Sequence, residues 1–451
     1  MASSLVLRFA KENKRFHQHS GRMAQMGKKT SHRSKHRARS HSESHAQGTI
    51  TPVLEGNPLV PTGEARWINT EKYFLQLCSE LQKKGIFAFD TEFIGEESYY
   101  PYTCLIQVAT TDMVALIDPF AITDLTPLYS LITDPEIIVI LHSASQDLDQ
   151  VEKLMGTPPQ AIFDTQLAAG LVGYPWPLSL TKSIETILQH DVGGHFTFSQ
   201  WDARPLSNRQ KVYAADDVRY LLAVHDFFIT KLEELDRTDW ASNEFLKFSS
   251  KENYTFNLFN TVKRICKNKT PHKKEMQRIQ ALAKLREEIA IERNLPTRAI
   301  IPPECILALG KKPLETVAQL SGLRGFPKNI ANKYGNQIIT ALANAEQLEP
   351  IQLRKSDPIE KDAIVRQELD GVWSLFNAWC VGNKLSPGLV TSRPIFTEWY
   401  LSVRKGGIIQ DSPLLQGWRA DVARQFSEMI AGNSSLSFSY NETLESRSDK
   451  P

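Results

Sequence analysis

Ile86-Phe87-Ala88-Phe89-Asp90-Thr91-Glu92-Phe93 runs an apolar stretch into two carboxylates, with Gly85 before it and Gly95 beyond. Such a run, bounded by glycines, predicts an inner strand covered on both faces. Asp90 and Glu92 are two apart, so on an extended backbone both side chains leave the same face. At ~4 Å and an effective dielectric of about 20, two such carboxylates repel by roughly 4 kcal/mol. A hard divalent cation such as Mg²⁺ is the usual remedy. The plainer reading has one carboxylate capping the next element and the other solvated. Acids elsewhere in the chain decide between the two.

Working outward, residues 51–66 are rich in Pro and Gly and read as a lead-in. Asn69 or Thr70 then caps a helix whose Phe74, Leu77, Cys78 and Leu81 share one face. On the other side, Cys104–Ala109 and Val114–Ile117 flank the polar turn Thr110–Met113 and complete an antiparallel meander with the opening strand. A helix near Leu125–Leu131, a strand Ile137–Leu141, a helix Gln146–Leu154 and a short strand Ala161–Phe163 follow. Helices alternate with turns to about Leu235. The sum is a three-layer α/β domain with a mixed sheet.

Beyond residue 240 no strand pattern survives. Lys273–Glu292 has helical period, Asn294-Leu295-Pro296 breaks it, and helices recur around Pro302–Leu309, Leu314–Leu320 and Ala331–Ala343. A Pro/Lys/Asp-rich linker near 346–362 leads to a second helical block from about Ile364 to Ala431, then a polar tail. The two blocks read as a diverged repeat. In each, a long helix ends at a Pro-containing turn, and a Gly-apolar-Arg turn (Gly322-Leu323-Arg324, Gly417-Trp418-Arg419) comes about thirty residues later.

The chain has 451 residues, more than one core usually serves. No run approaches the ~18 apolar residues of a membrane span. The five cysteines are scattered without a C-x-x-C pair, which argues for reduced thiols in the cytosol and against a disulfide framework or a zinc site. The net charge of +2 conceals an asymmetry. Residues 1–50 hold eleven Lys and Arg against two Glu, leaving 42 against 49 Asp and Glu in the remainder. This basic segment, rich in Ser and His, has almost nothing to bury and reads as a disordered arm. Its functional reading is salt-sensitive phosphate contact; the alternatives are a solvated extension and a transit peptide.

Asp147 follows the strand Ile137–Leu141 and falls in the first turn of the next helix, where the positive dipole end tolerates a carboxylate. A simple capping role reads equally well there. Asp149, two residues on, faces away from it. Ser207-Asn208-Arg209-Gln210 is a capping box, and the helix it opens carries Tyr213 and Asp217 at i and i+4, one above the other. Asp216 is turned about 100° away and is expected to face solvent more.

Asp90, Glu92, Asp147 and Asp217, with Tyr213 four residues before the last, resemble the DEDD superfamily of 3′–5′ exonucleases in its tyrosine subclass. More narrowly, the chain is similar to the ribonuclease D family. Phe89–Phe93, Tyr99-Tyr100-Pro101, Leu105-Ile106-Gln107, Leu141-His142-Ser143 leading to Asp147-Leu148, Phe163–Gln166 and Trp201–Leu206 carry the likeness, in order, across residues 67–230. Residues 272–345 resemble an HRDC domain, and 364–431 a more degenerate second copy. Asp164, which the family motif leaves without a metal, reads as a helix cap. The basic arm is outside the family pattern, and in the second motif Gln146 stands where an acidic residue often precedes Asp147.

The resemblance implies a ribonuclease H-like exonuclease domain (51–240), an HRDC domain (272–346) and a second HRDC-like helical domain (362–432), between the arm 1–50 and a disordered tail 433–451. It implies two Mg²⁺ or Mn²⁺ ions, one on Asp90, Glu92 and Asp217, the other on Asp90 with Asp147 acting mostly through water. Tyr213 would orient the attacking water, and nucleoside 5′-monophosphates would leave from the RNA 3′ end. Phe93, Tyr99, Tyr100 and Tyr102 are candidates to stack on terminal bases, with Gln107 and His142 as further substrate contacts; packing explains the aromatics equally well. The implied partner is RNA, in the form of tRNA precursors held by the helical blocks (a purely structural role for the second block reads equally well), for a cytoplasmic monomer without membrane or small-molecule cofactor. A DNA-directed exonuclease and a non-catalytic RNA-binding scaffold are the competing expectations.

Overall fold

A computed structural model describes residues 52–193, 200–267, 269–353, 357–406 and 412–430. The basic arm and the polar tail lie outside them. In chain order the sheet domain runs β1 (Arg66–Ile68), α1 (Glu71–Lys84), β2 (Ile86–Ile94), β3 (Tyr102–Ala109), β4 (Val114–Ile117), α2 (Thr126–Ile132), β5 (Ile138–Leu141), α3 (Ser145–Met155) and β6 (Ile162–Asp164). Helices α4 (Thr165–Leu171), α5 (Leu180–Leu188), α6 (Asn208–Arg219), α7 (Leu221–Glu234) and α8 (Thr238–Phe245) follow.

The six strands are ordered β1-β4-β3-β2-β5-β6. β2 pairs antiparallel with β3 and parallel with β5, so the carboxylate strand is central. β3 and β4 complete the expected meander, and the sheet is mixed, as expected. β1 is the strand that the lead-in reading missed. Its three residues pair parallel with β4, a partner almost fifty residues away that local composition cannot reveal.

Alternation along β2 assigns its two faces. Phe87 and Phe89 join Ile106, Val108, Ala115, Ile117, Val139 and Leu141 in a core closed by α1, α2 and α3. Each phenylalanine is fully buried, stabilising by roughly 1.5–3 kcal/mol. Helix α1 turns Phe74, Leu77 and Leu81 into this core, starts at a Thr70 cap that accepts from Tyr73 N, and stops at Gly85 with φ 68°. Asp90, Glu92 and Gln107, opposite Asp90 in the β2–β3 register, belong to the other face, on which α6 packs.

The first helical block contains α9 (Leu258–Cys266), α10 (Lys273–Arg293), α11 (Thr297–Ile300), α12 (Pro303–Lys311), α13 (Val317–Gly322) and α14 (Lys328–Asn344). The second contains α15 (Ala363–Gly382), α16 (Pro387–Val390), α17 (Arg393–Arg404) and α18 (Trp418–Ile430). The repeat is visible in their order: α10 and α15 each give way to a one-turn helix, and a left-handed residue lies between, Asn294 (φ 49°) or Lys384 (φ 50°).

Two compact units result. One comprises the described residues of 52–162, 192–222 and 248–357, so it holds both the carboxylate strand and the first helical block. Within it the Tyr99 hydroxyl donates to Glu287 of α10, Tyr100 N donates to Asn294 Oδ1 (3.0 Å) and Asn294 Nδ2 to the Tyr102 hydroxyl (3.2 Å). The other unit comprises Phe163–Asp191, Ala223–Lys247 and the chain from Pro358. There, Arg237 donates to the carbonyls of Leu171, Asn383 and Lys384 at 2.6–2.7 Å, and buried Glu244 accepts from Trp418 Nε1 (2.8 Å) and pairs with Arg419.

Candidate active site

Three segments far apart in sequence supply the site. Asp90 and Glu92 stand on the same face of β2, where a bulge interrupts the register after Glu92. Helix α6 delivers Tyr213 and Asp217 to that face. Its start is fixed by the expected capping box: Ser207 Oγ accepts from Gln210 N at 3.2 Å, and Ser207 N donates to Gln210 Oε1 at 3.0 Å. Ala214, Ala215, Val218 and Arg219 are its buried residues, and small alanines let the helix lie close to the strands. Asp147 enters from the first turn of α3 and accepts a hydrogen bond from the Thr91 hydroxyl.

Electrostatics shows that these groups share one environment. Burial pushes Asp90 well above the ordinary carboxylate range, and Asp147, Asp217 and Glu92 add to it. Glu92 is pushed up to about 8, by burial first and then by Asp147. Asp217 is raised by burial, then Glu92, Asp216 and Asp147. Tyr213 is raised by burial and by Asp217, Glu92 and Asp90, so it stays protonated at neutral pH and acts as a hydrogen-bond donor. No cationic side chain among the described residues contributes to any of these four shifts.

The donor set fits a hard divalent cation: carboxylate oxygens, buried, with Asp217 Oδ2 lacking any hydrogen-bond partner. Among the described residues no three His, Cys, Asp or Glu side chains form a closed ligand cluster. The two observations are compatible, because mutual repulsion reaches further than a coordination bond. The acids are neighbours that a cation would draw inward.

The remaining residues divide. Gln107 is 0 % exposed and neither of its amide atoms has a partner; its place beside Asp90 is fixed by register. Phe93 and His142 are partly buried at the ends of β2 and β5. Tyr99, Tyr100 and Tyr102 lie against α10 and the turn after it, through the bonds given above, and the Lys153 ammonium sits over the Tyr100 ring. Asp216 departs from the solvent-facing expectation. It pairs with buried Arg219 at 3.1 Å, and Arg219 in turn donates to the carbonyls of Pro61 and Gly63. Angular position on a helix cannot foresee a lead-in segment folding over it. Asp164 is the cap of α4, accepting from Gln166 N (2.8 Å) and Leu167 N (3.2 Å), as read.

Two supporting residues escaped sequence reasoning. Thr91 points away from its carboxylate neighbours, and only the fold shows that it holds Asp147. Arg204, inside the motif Trp201–Leu206, grips Asp118 with two bonds (2.8 and 2.9 Å) and donates to the Cys104 and Trp201 carbonyls. It ties the segment before α6 to the strands. Trp201, nearly fully buried, packs 6.2 Å from the Tyr213 ring.

The 3′–5′ exonuclease family profile matches residues 65–233, and the HRDC domain profile residues 275–342. A ribonuclease D of Gluconacetobacter diazotrophicus is 30% identical over 362 residues, 79% of this chain and 90% of the relative. The ribonuclease D of Sphingobium indicum is 30% identical over 375 residues, 81% of this chain and 94% of the relative. The chain belongs to the ribonuclease D family. The crystal structure of Escherichia coli RNase D, titled "an exoribonuclease involved in structured RNA processing", superimposes with a TM-score of 0.65 at 24% identity, covering 83% of this chain and all of that one. Ribonuclease D chemistry is 3′–5′ exoribonucleolytic hydrolysis dependent on divalent metal, and the protein is an enzyme of that class. The scaffold expectation is thereby set aside. No helix among the described residues is long and apolar enough to cross a membrane.

Proposed function

We propose that the enzyme trims the 3′ ends of structured RNA, tRNA precursors in particular, at a centre formed by Asp90, Glu92, Asp147, Asp217 and Tyr213. The observation that supports this is the mutual elevation of Asp90, Glu92 and Asp217, with no cationic side chain among the described residues to offset it. Two Mg²⁺ or Mn²⁺ ions, when bound, would supply a nucleophilic hydroxide and neutralise charge on the scissile phosphate. Asp90, Glu92 and Asp217 would hold one, and Asp90 with Asp147 the other. The Tyr213 hydroxyl, kept protonated by burial and its acidic neighbours, orients the attacking water by hydrogen bond instead of taking its proton. Thr91 aims Asp147, and Trp201 fixes the tyrosine ring.

RNA is favoured over DNA by the family, and the helical blocks are read as its tether. The test compares digestion of RNA and DNA oligonucleotides of one sequence and of a tRNA precursor, with Mg²⁺ and with EDTA. Release of nucleoside 5′-monophosphates from RNA with Mg²⁺ alone is expected. Asp90→Asn should lose activity by more than the roughly 10–100-fold that outer-sphere partners carry, while its far-UV spectrum stays near normal. An unfolded variant would make Asp90 a structural acid, and a tRNA precursor left at full length would remove that substrate.

A further inference from the structure

A cleft of 1080 Å³ opens between the sheet domain and the first helical block, inside the first unit. Two arginines on its wall form no ion pair among the described residues, although Glu287, the neighbour of Arg286 on α10, also lines the cleft and attracts it. Arg286 of α10 is only 5 % exposed; its Nη1 makes one long bond, 3.5 Å, to the Ile301 carbonyl, and its Nε makes none. Arg264 of α9 bonds only to Thr261 Oγ1 at 3.3 Å. A buried charged donor left unpaired carries its desolvation cost without return. Glu287 attracts the Arg286 guanidinium and Arg264 repels it, a repulsion that an anion between the two arginines would reverse. The planar fork of arginine suits a phosphate.

The cleft also carries an aromatic face. Phe256, 38 % exposed, lines it together with Tyr254. An exposed ring beside unpaired arginines is the combination that holds single-stranded nucleic acid, with a base on the ring and a phosphate on the cation. Cavities of about 300–1,000 Å³ hold molecules of nucleotide size. The charge is divided, since Asp149 and Glu152 line the α3 side with Lys153, and Glu287, which accepts from Tyr99, stands beside the arginines. Such a pattern admits one phosphate on the arginine side and opposes a polyanion filling the whole cleft.

We propose that this cleft is a second RNA site, outside the carboxylate centre, which takes one unpaired nucleotide of the substrate, its phosphate on Arg264 and Arg286 and its base on Phe256. The proposal rests on the reading of the enzyme as an exoribonuclease. Arg264 and Phe256 are exposed, so Arg264→Ala and Phe256→Ala should fold normally. With the full-length chain in EDTA, each should weaken binding of a 20-nucleotide single-stranded RNA about tenfold. Arg264→Ala should also flatten the slope of log affinity against log salt by about 0.7, the effect of one single-strand phosphate contact. Lys263→Ala, an equal charge loss on the same helix outside the cleft, should do much less. Equal affinity of wild type and both cleft variants overturns the site, as does an equal loss in Lys263→Ala. Wild type that binds the RNA through these residues yet digests none with Mg²⁺ would overturn the nuclease reading and leave the site standing.

Discussion

Burial and Asp147 push Glu92 up to about 8, and the sign of that shift governs how the metal-free enzyme responds to pH. A carboxyl whose folded value exceeds its unfolded one contributes stability that is complete below the unfolded value. That stability is lost as pH rises through the folded one. The window runs from the ordinary 4.5 to about 8, with Asp90 and Asp217 raised in the same sense. The EDTA-treated protein should therefore melt at progressively lower temperature from pH 5 to pH 8. Glu92→Gln, which cannot ionise, should flatten that fall. Mg²⁺ should restore the wild type most at pH 8, because the cation displaces the protons that the acids hold. A melting profile with the same slope in wild type and Glu92→Gln would show that Glu92 is not held in this environment. That Asp90 and Glu92 share one strand face, and that Tyr213 and Asp217 share one helix, was legible in the sequence because both are local geometry. Thr91 was not, because its partner is 56 residues away and on another element.

Among the elements, α6 and β2 each bring two of the five groups of the candidate site, and α6 also covers β2 and its neighbours β3 and β4. Its N-terminus depends on the capping box, which sequence spacing alone disclosed. Ser207→Ala should cost about 1 kcal/mol of stability by removing one half of the box. It should also lower turnover, since the first helical turns lead directly to Tyr213. Thermal melting and digestion of a labelled RNA measure the two effects; Ser207→Asn, another good cap, should recover most of both. Stability lost without any change in turnover would detach the cap from the placement of Tyr213. β2, β3 and β4 were legible for the same local reason, alternation and a polar turn. β1 was not, because three residues carry no periodicity and its parallel partner β4 is remote. Asp216 marks the limit of helix-face reasoning, which knows the angle of a side chain but not what folds over it.

At the scale of the molecule, the first unit joins a sheet domain to a helical block, and Asn294 links the two. It terminates α10 in the left-handed region, at φ 49°, and its side chain accepts from Tyr100 N while donating to the Tyr102 hydroxyl. Sequence placed a turn at Asn294-Leu295-Pro296 and proposed Tyr99, Tyr100 and Tyr102 for stacking on bases. It had no means of bringing residues almost two hundred apart together. Asn294→Gly separates the two roles, because glycine adopts a positive φ without strain but offers no side-chain amide. Each lost bond is worth about 0.5–1.5 kcal/mol, so a fall of a few kcal/mol at most is expected, with α10 itself intact. Hydrogen exchange should then quicken at Tyr100 and in the turn after α10, while the amides in the middle of α10 keep their protection. Tyr99→Phe, which removes the hydroxyl donated to Glu287, should loosen the same seam from its other end. The two substitutions touch one interface, so their combined cost should fall short of the sum of the separate ones. Strictly additive costs would mean that Asn294 and Tyr99 stabilise independent regions, and the sheet and the first helical block would then not be held as one body by this seam.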